Sequence, residues 1–265
     1  MRTAEQVRER DKKMTYEEAK AFLADCNQYK GEISLEPWEK MRAILGKRHD
    51  QLKFVHVAGT NGKGSTLAYV STVLKEAGYR VGRYISPTIF SYRERIQVNE
   101  TYISREGLVR LTEQIQKAGE QMLAAGDGHP TMFEAETALA FLWFVEQKCD
   151  IVVLEVGMGG LTDATNVIKN TLVAALTPVS MDHIGVLGNT LGEIAAQKAG
   201  IIKKGCKVVS AAQKPESRIV IEQKAKECGC PMSFVDTTQI RDRNRGLMKQ
   251  SFSYKERTQV EISLA

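Results

Sequence analysis

Short apolar runs recur along the chain and set its rhythm. FVHVA occupies 54–58, RVGRYI 80–85, DIVVLEVG 150–157, LVAAL 172–176, KVVSA 207–211 and MSFV 232–235. DIVVLEVG, LVAAL and KVVSA are nearly continuous, as expected for parallel strands covered on both faces. Segments with helical spacing lie between them. Thr15 and Glu18 form a capping box ahead of AKAFLADC, and Thr190 with Glu193 forms another ahead of EIAAQKAG. Further helices are expected over 37–45, 63–77 (ending at Gly78), 104–123, 133–148 and 215–228, and a short edge strand at ERIQVN. Strands alternating with helices predict an α/β fold: a doubly wound, mostly parallel sheet with helices on both faces. After residue 236 the pattern changes to polar alternation, expected to form strands or a hairpin, and it runs to Ala265 without a cap.

This divides the chain into a charged extension at 1–13, an α/β domain at 14–236 and a β-rich segment at 237–265. No apolar run approaches the roughly 20 residues of a membrane span, and the N-terminus lacks the apolar centre of an export signal. A soluble cytoplasmic protein with no membrane partner is the expectation. The net charge of +5 suits anionic small molecules. Without a basic stripe interleaved with aromatics it does not suggest nucleic acid. The five cysteines are scattered and odd in number, so they read as reduced thiols. Cys228 and Cys230 make a lone C-x-C without the second pair that a metal site would need.

The first candidate for chemistry follows FVHVA: Gly59, Thr60, Asn61, Gly62, Lys63, Gly64 and Ser65. A strand, a glycine loop and a helix together present free backbone N–H groups at a helix N-terminus. Glycines let phosphate oxygens approach, Lys63 adds a point charge, and Ser65 can bind an oxygen or a magnesium water. The helix dipole alone supplies only about 0.3–1 kcal/mol, so Lys63 and the amides must carry binding. The loop departs from G-x-x-x-x-G-K-[ST] at Val57 and at Gly64, which separates Lys63 from Ser65. A tight Gly-rich turn with a solvated lysine is the competing reading.

Four more segments place polar residues where strands end. These are Ser86 in YISPT; Thr131, Phe133 and Glu134 in TMFEAET; Glu155, Asp163 and Asn166 around VLEVGMGGLTDATNV; and Asp182, His183 and Lys198 in the segment from TPVSMDHIG to QKAG. A carboxylate beyond buried aliphatics, such as Glu155, is costly unless paired, and magnesium takes oxygen ligands. A Glu accepting backbone N–H groups is the alternative. His183 taken alone reads as structural, because magnesium prefers oxygen. Lys198 beside a dication would be repelled, by about 4 kcal/mol per unit charge at ~4 Å and an effective dielectric of 20. Either it points away from the metal or its charge is altered. Asp182 and His183 are sequence neighbours and make no ready charge relay, and no G-x-S-x-G elbow is present.

HVAGTNGKGS, SP…ERIQVN, TMFE, LEVGMGG…DATNV and DHIGVLGNTLGEIAAQKAGIIKKG, in this order, resemble the folylpolyglutamate synthase family, the bifunctional dihydrofolate synthases included, within the Mur ligase superfamily. The resemblance runs from about Met14 onward and implies a P-loop, Mur-ligase-like central domain. It implies an ATP-dependent amide ligase that adds L-glutamate to a folate, or to dihydropteroate, through an acyl phosphate with release of ADP. By similarity, Gly59 to Ser65 bind ATP. Ser86 and Glu155 hold one Mg2+, and Glu155, His183 and a carbamylated Lys198 hold a second. Lys63, Glu155, His183 and Lys198 are the catalytic set. Thr131, Phe133, Asp163 and Ala164 match pteroate-pocket positions, and a monomer is implied.

The family often has His at the position of Thr88, Arg-Leu at Leu161-Thr162 and Gly at Glu100. These departures touch pocket contacts and leave the metal set intact. The family also continues past the segment that VEISLA matches, into an adenine-contacting helix and a glutamate-binding domain. The expectation is therefore that these 265 residues ligate poorly alone. The rival functions are an ATP- or pteroate-binding module without ligase activity and another Mur-type amide ligase.

Overall fold

The structure is a computed structural model, and it describes residues 13–26 and 35–263. The charged extension expected at 1–13 therefore lies outside the described residues, apart from Lys13. Eight strands form one sheet in the order β4-β3-β2-β5-β1-β6-β7-β8. They are β1 (Phe54–Ala58), β2 (Val81–Tyr84), β3 (Ile96–Val98), β4 (Thr101–Tyr102), β5 (Ile151–Glu155), β6 (Thr171–Leu176), β7 (Lys207–Ser210) and β8 (Met232–Phe234). From β2 to β8 all neighbours are parallel; β3 and β4 are antiparallel additions at one side. ERIQVN was expected at the edge, but β3 pairs on both sides and the two-residue β4 takes the edge. The turn between them, at Asn99 and Glu100, has positive φ at both residues (47° and 67°). That explains why a Gly would suit position 100: the left-handed region costs a side chain energy that glycine does not incur.

The helices are α1 (Tyr16–Asp25), α2 (Glu36–Ile44), α3 (Lys63–Glu76), α4 (Arg105–Ala125), α5 (Met132–Glu146), α6 (Leu191–Ala199) and α7 (Pro215–Glu227). Both sequence-predicted capping boxes are formed, at Thr15/Glu18 and Thr190/Glu193. A third, Thr131 with Glu134, opens α5. Each such cap stabilises its helix by about 1 kcal/mol.

Strand residues alternate between faces. Phe54, Tyr84, Val152 and Leu154 pack with Phe141 and Phe144 of α5 and with Leu108, Leu111 and Ile115 of α4. Ala58, Ala174, Leu176 and Val208 pack with Ile194 of α6 and Ile221 of α7. The opposite side chains, Val55, Val57, Val81 and Val153, meet Leu67 of α3. KVVSA was expected to be covered on both faces; instead β7 alternates, with Val208 buried and Val209 39% exposed. The reason is that α3 packs over β1, β2 and β5, away from β7. Residues 237–263, read as strands or a hairpin, form a three-stranded antiparallel sheet of β9 (Ile240–Arg245), β10 (Lys249–Tyr254) and β11 (Arg257–Ser263).

Gly82 of β2 lies directly under the Phe144 ring: a Cβ there would come within 2.7 Å of Cδ1. Gly82→Ala should therefore destabilise the protein by about 1–3 kcal/mol, the usual cost of overpacking. Urea unfolding checks it, and an unchanged midpoint would mean that Phe144 shifts freely.

Candidate active site

The carboxyl ends of the parallel strands open into one cavity of about 870 Å³. Its lining draws on every segment singled out from the sequence: Gly59, Thr60 and Lys63; Ser86; Thr131 and Phe133; Asp163 and Ala164; and Asp182, His183 and Lys198. Asn61, Gly62, Gly64, Ser65 and Glu155 are not in its wall; Asn61 and Gly62 lie in the turn into α3, and Gly64 and Ser65 in its first turn.

That turn is forced by contact. Gly59 has φ 146°, and a Cβ on it would overlap Thr177 Oγ1 at 1.8 Å. Thr177 N–H in turn donates to Ala58 O at 2.8 Å, and Thr60 N–H donates to Pro178 O at 3.0 Å. The loop is thus stitched to the end of β6. Gly62 is left-handed (φ 85°) and caps α3. The first intrahelical bond at that end is Thr66 N–H to Gly62 O, 3.0 Å. The amides of Lys63, Gly64 and Ser65 precede it, in the position where a helix offers its donors to an anion. Lys63 is half-buried, and its Nζ curls back to Gly59 O (3.3 Å) and Thr60 O (3.2 Å).

Glu155 ends β5 on the α3 face and is 5% exposed. Its Oε2 lies 3.6 Å from where a Gly64 Cβ would stand, so the carboxylate sits over the first turn of α3. Burial pushes its carboxyl up, against the Ser86 N–H (3.3 Å) and the charges of Lys63 and Arg83, which pull it down. The alternative noted from sequence, a Glu accepting backbone N–H, is thus realised in part.

Lys198 is almost fully buried and points at the loop. Its Nζ donates to Gly59 O at 3.1 Å and to Asp182 Oδ2 at 3.3 Å. Burial lowers its basicity more than Asp182 restores it. His183 has a left-handed backbone (φ 45°) and a half-exposed side chain, with Nε2 3.5 Å from Asp182 Oδ1. Asp182 therefore links the imidazole to the buried lysine, a role its adjacency to His183 alone does not reveal. Among the described residues no three His, Cys, Asp or Glu side chains converge as a metal cage.

The other side of the cavity carries an aromatic ring. The Phe133 ring lies over Gly157, where a Cβ would come within 2.6 Å of its Cζ, and tilts against Tyr84 at 6.0 Å. Thr131 is occupied as the cap of α5, its hydroxyl donating to Glu134 Oε2 at 2.8 Å. Asp163 serves the glycine loop: Oδ2 accepts Met158 N–H (2.8 Å), and Oδ1 accepts both the Thr165 N–H (2.9 Å) and the Thr165 hydroxyl. The carbonyl of Ala164 accepts the Trp38 indole N–H at 2.6 Å, tying α2 to the wall. Asn166, in the same loop, donates to Leu161 O and Gly200 O.

Sequence reasoning missed a buried pair in this wall, Arg95 and Glu136, 3.0 Å apart, with Tyr92 OH donating to Glu136 at 2.8 Å. The signal was available: Glu136 repeats the buried side of an otherwise apolar helix and needs a partner. His56 was also missed. Its Nε2 is 2.8 Å from Thr165 Oγ1, and that hydroxyl already donates to Asp163. The ring must therefore carry its proton on Nε2, which makes a neutral imidazole the backstop of Asp163.

Comparison with known proteins gives the family and the fold. The sequence profile of the Mur ligase middle domain matches residues 57–264. The chain belongs to the Mur ligase family. The dihydrofolate synthase/folylpolyglutamate synthase of Bacillus subtilis (strain 168) is similar to it, with 39% identity over 242 residues, 91% of this chain and 56% of the relative. Among solved structures, the apo form of L. casei FPGS superposes with a TM-score of 0.89 at 32% identity, covering 95% of this chain and 62% of that one. An FPGS-AMPPCP-folate complex gives 0.89 at 33% identity, over 94% and 62% of the two chains. The chain thus spans a little over half the length of these relatives.

Burial holds two histidines neutral, His49 pushed down to about 4 and His56 to about 3. The unfolded chain takes up their protons below about 6.5. Stability is therefore full above that value, is lost as pH falls below it, and goes on falling until pH passes 4 for His49 and 3 for His56. His56→Gln keeps a donor for Thr165 but does not titrate. Between pH 7 and pH 5 the variant should lose about 2 kcal/mol less stability than the parent. Urea titrations at the two pH values measure this, and parallel losses would contradict a neutral buried His56.

Proposed function

We propose that this chain is the nucleotide- and pteroate-binding part of an ATP-dependent ligase that joins L-glutamate to a folate or to dihydropteroate. One observation carries the reading: the loop that ends β1 opens into the same cavity as the Phe133 shelf, so a triphosphate and a flat ring system are brought together. The α/β unit of residues 14–236 supplies both subsites, and no described residue from 237 onward lines the cavity. The matched stretch makes up 56% of the Bacillus subtilis relative and 62% of the L. casei chain, and the glutamate site is assigned to what lies beyond it in such proteins.

The residues divide the work. Amides of Lys63, Gly64 and Ser65 face the terminal phosphates, and Lys63, released from Gly59 O and Thr60 O, adds its charge to them. Phe133 stacks the pterin, while Asp163 and Ala164 hold the wall against it. A carboxylate oxygen of the pteroate substrate attacks the γ-phosphorus and ADP leaves, which gives the carboxyl carbon a leaving group. The amine of glutamate then attacks that carbon, and inorganic phosphate departs with the C–O bond electrons. Positioning and charge neutralisation are the protein's contribution.

The buried Glu155, raised by burial and placed over a helix N-terminus, suits Mg2+. Ser86 and Glu155 would hold one ion, and Glu155, His183 and a carbamate on Lys198 a second. When bound, such ions neutralise phosphate charge. Lys198 fits the modification because burial favours its neutral amine, the form that adds CO2. Asp182 holds it in place meanwhile.

Titrating ATP with magnesium onto the pure chain tests the reading, with ADP release followed in the presence of pteroate and glutamate. The expected result is nucleotide binding that Lys63→Ala weakens at least about tenfold, with little or no ligation. A folded chain that ignores nucleotide would overturn it; binding without turnover even when the rest of a relative is supplied would favour a binding module. Tighter binding of a UDP-sugar than of pteroate would favour another Mur-type ligase.

A further inference from the structure

We propose that Cys206 and Cys230 are a thiol-redox pair that closes to a reversible disulfide at the far edge of the sheet. All five cysteines are free thiols in the structure, but these two face each other, with sulfurs 3.7 Å apart. Their meeting follows from the register. Val208 of β7 stands opposite Met232 of β8 in a parallel pair, and Val208 N–H donates to Pro231 O at 2.9 Å. Two residues back on each strand places Cys206 opposite Cys230. Side chains alternate along a strand, so Cys206 shares the face of Val208 and Cys230 that of Met232; all four pack into the same apolar cluster. Neighbouring strands lie about 4.8 Å apart, inside the Cα separation of about 4.4–6.8 Å that a disulfide spans. Closing the bridge means bringing the sulfurs from 3.7 Å to the roughly 2 Å of an S–S bond.

The two thiols differ in a way that assigns their roles. Cys206 is 2% exposed, and burial pushes its thiol up to about 11. Cys230 is half-buried, and its thiol donates to Lys203 O at 3.1 Å. Cys230 is thus the thiol that a hydroperoxide reaches first. Its sulfur takes the terminal oxygen, the O–O bond breaks, and an alcohol leaves, giving a sulfenic acid. The Cys206 sulfur then attacks the Cys230 sulfur, the S–O bond breaks, and water leaves with the Cys206 proton. Two thiols lose two electrons and two protons, and the hydroperoxide is reduced to alcohol and water. Cys228, the neighbour in the C-x-C, donates to Ile202 O at 3.6 Å and is outside the bridge. Cys26 and Cys149 are buried in the other apolar cluster. The pair sits at the amino ends of β7 and β8, opposite the cavity edge of the sheet, so the site is separate from the ligand-binding one.

The test uses the whole chain, reduced, treated with tert-butyl hydroperoxide and then with iodoacetamide. The expected product is about 2 Da lighter before alkylation. Its peptide map links Cys206 to Cys230, and dithiothreitol reverses the link. Cys228→Ser should form it equally well, and Cys206→Ser should leave Cys230 as a sulfenic acid that dimedone traps. Absence of a linked species from the parent protein, a link through Cys228, Cys26 or Cys149, or the same mass loss in Cys230→Ser would each overturn the proposal. The parent's map decides even where a serine variant fails to fold.

Discussion

The close approach of Gly59 to Thr177 is the constraint on which the site depends. Two parallel strands, β1 and β6, end side by side, and the backbone leaving β1 must pass over a threonine with no room for a Cβ. Only a glycine at φ 146° makes that passage. Once it is made, the chain turns at Gly62 and enters α3 with its first amides facing out. Lys198 completes the arrangement: its Nζ donates to the Gly59 carbonyl and is itself held by Asp182. A change at any of these groups would move the phosphate loop relative to the strand-end carboxylate Glu155.

The same logic governs the other half of the cavity. Asp163 brings a carboxyl into a nearly dry place, and burial raises it. It remains there because Met158 N–H and two groups of Thr165 donate to it, and neutral His56 supports Thr165 from the core. Likewise Arg95 and Glu136 are buried together, where removing one partner would strand the other's charge. The wall is therefore a set of paired polar groups in an apolar setting, rigid because each pairing is costly to break.

Much of this was legible in the residues. The near-continuous runs at 54–58 and 151–155 became central parallel strands, and the Thr/Glu pairs at 15/18 and 190/193 became caps, because both signals are local and physical. The loop after Ala58 could be placed by its glycines. What spacing could not give was long-range pairing. ERIQVN looked like an edge until β4 covered it, and KVVSA looked doubly covered although no local feature records how far α3 extends. The link from Asp182 to Lys198 spans sixteen residues, and that from His56 to Thr165 more than a hundred. Such contacts exist only once the sheet order is known. Lys63 was weighed as a solvated lysine, yet it folds back onto loop carbonyls, a conformation set by the left-handed turn at Gly62.

The central claim is that the three amides opening α3 form a ready anion site, held by the Gly59–Thr177 contact. Backbone amide NMR of the chain during titration with AMPPCP and magnesium tests it most directly. The account predicts that the Lys63, Gly64 and Ser65 amide resonances shift most and that those of β9 to β11 stay in place. Nucleotide binding that leaves those three amides unmoved would contradict it.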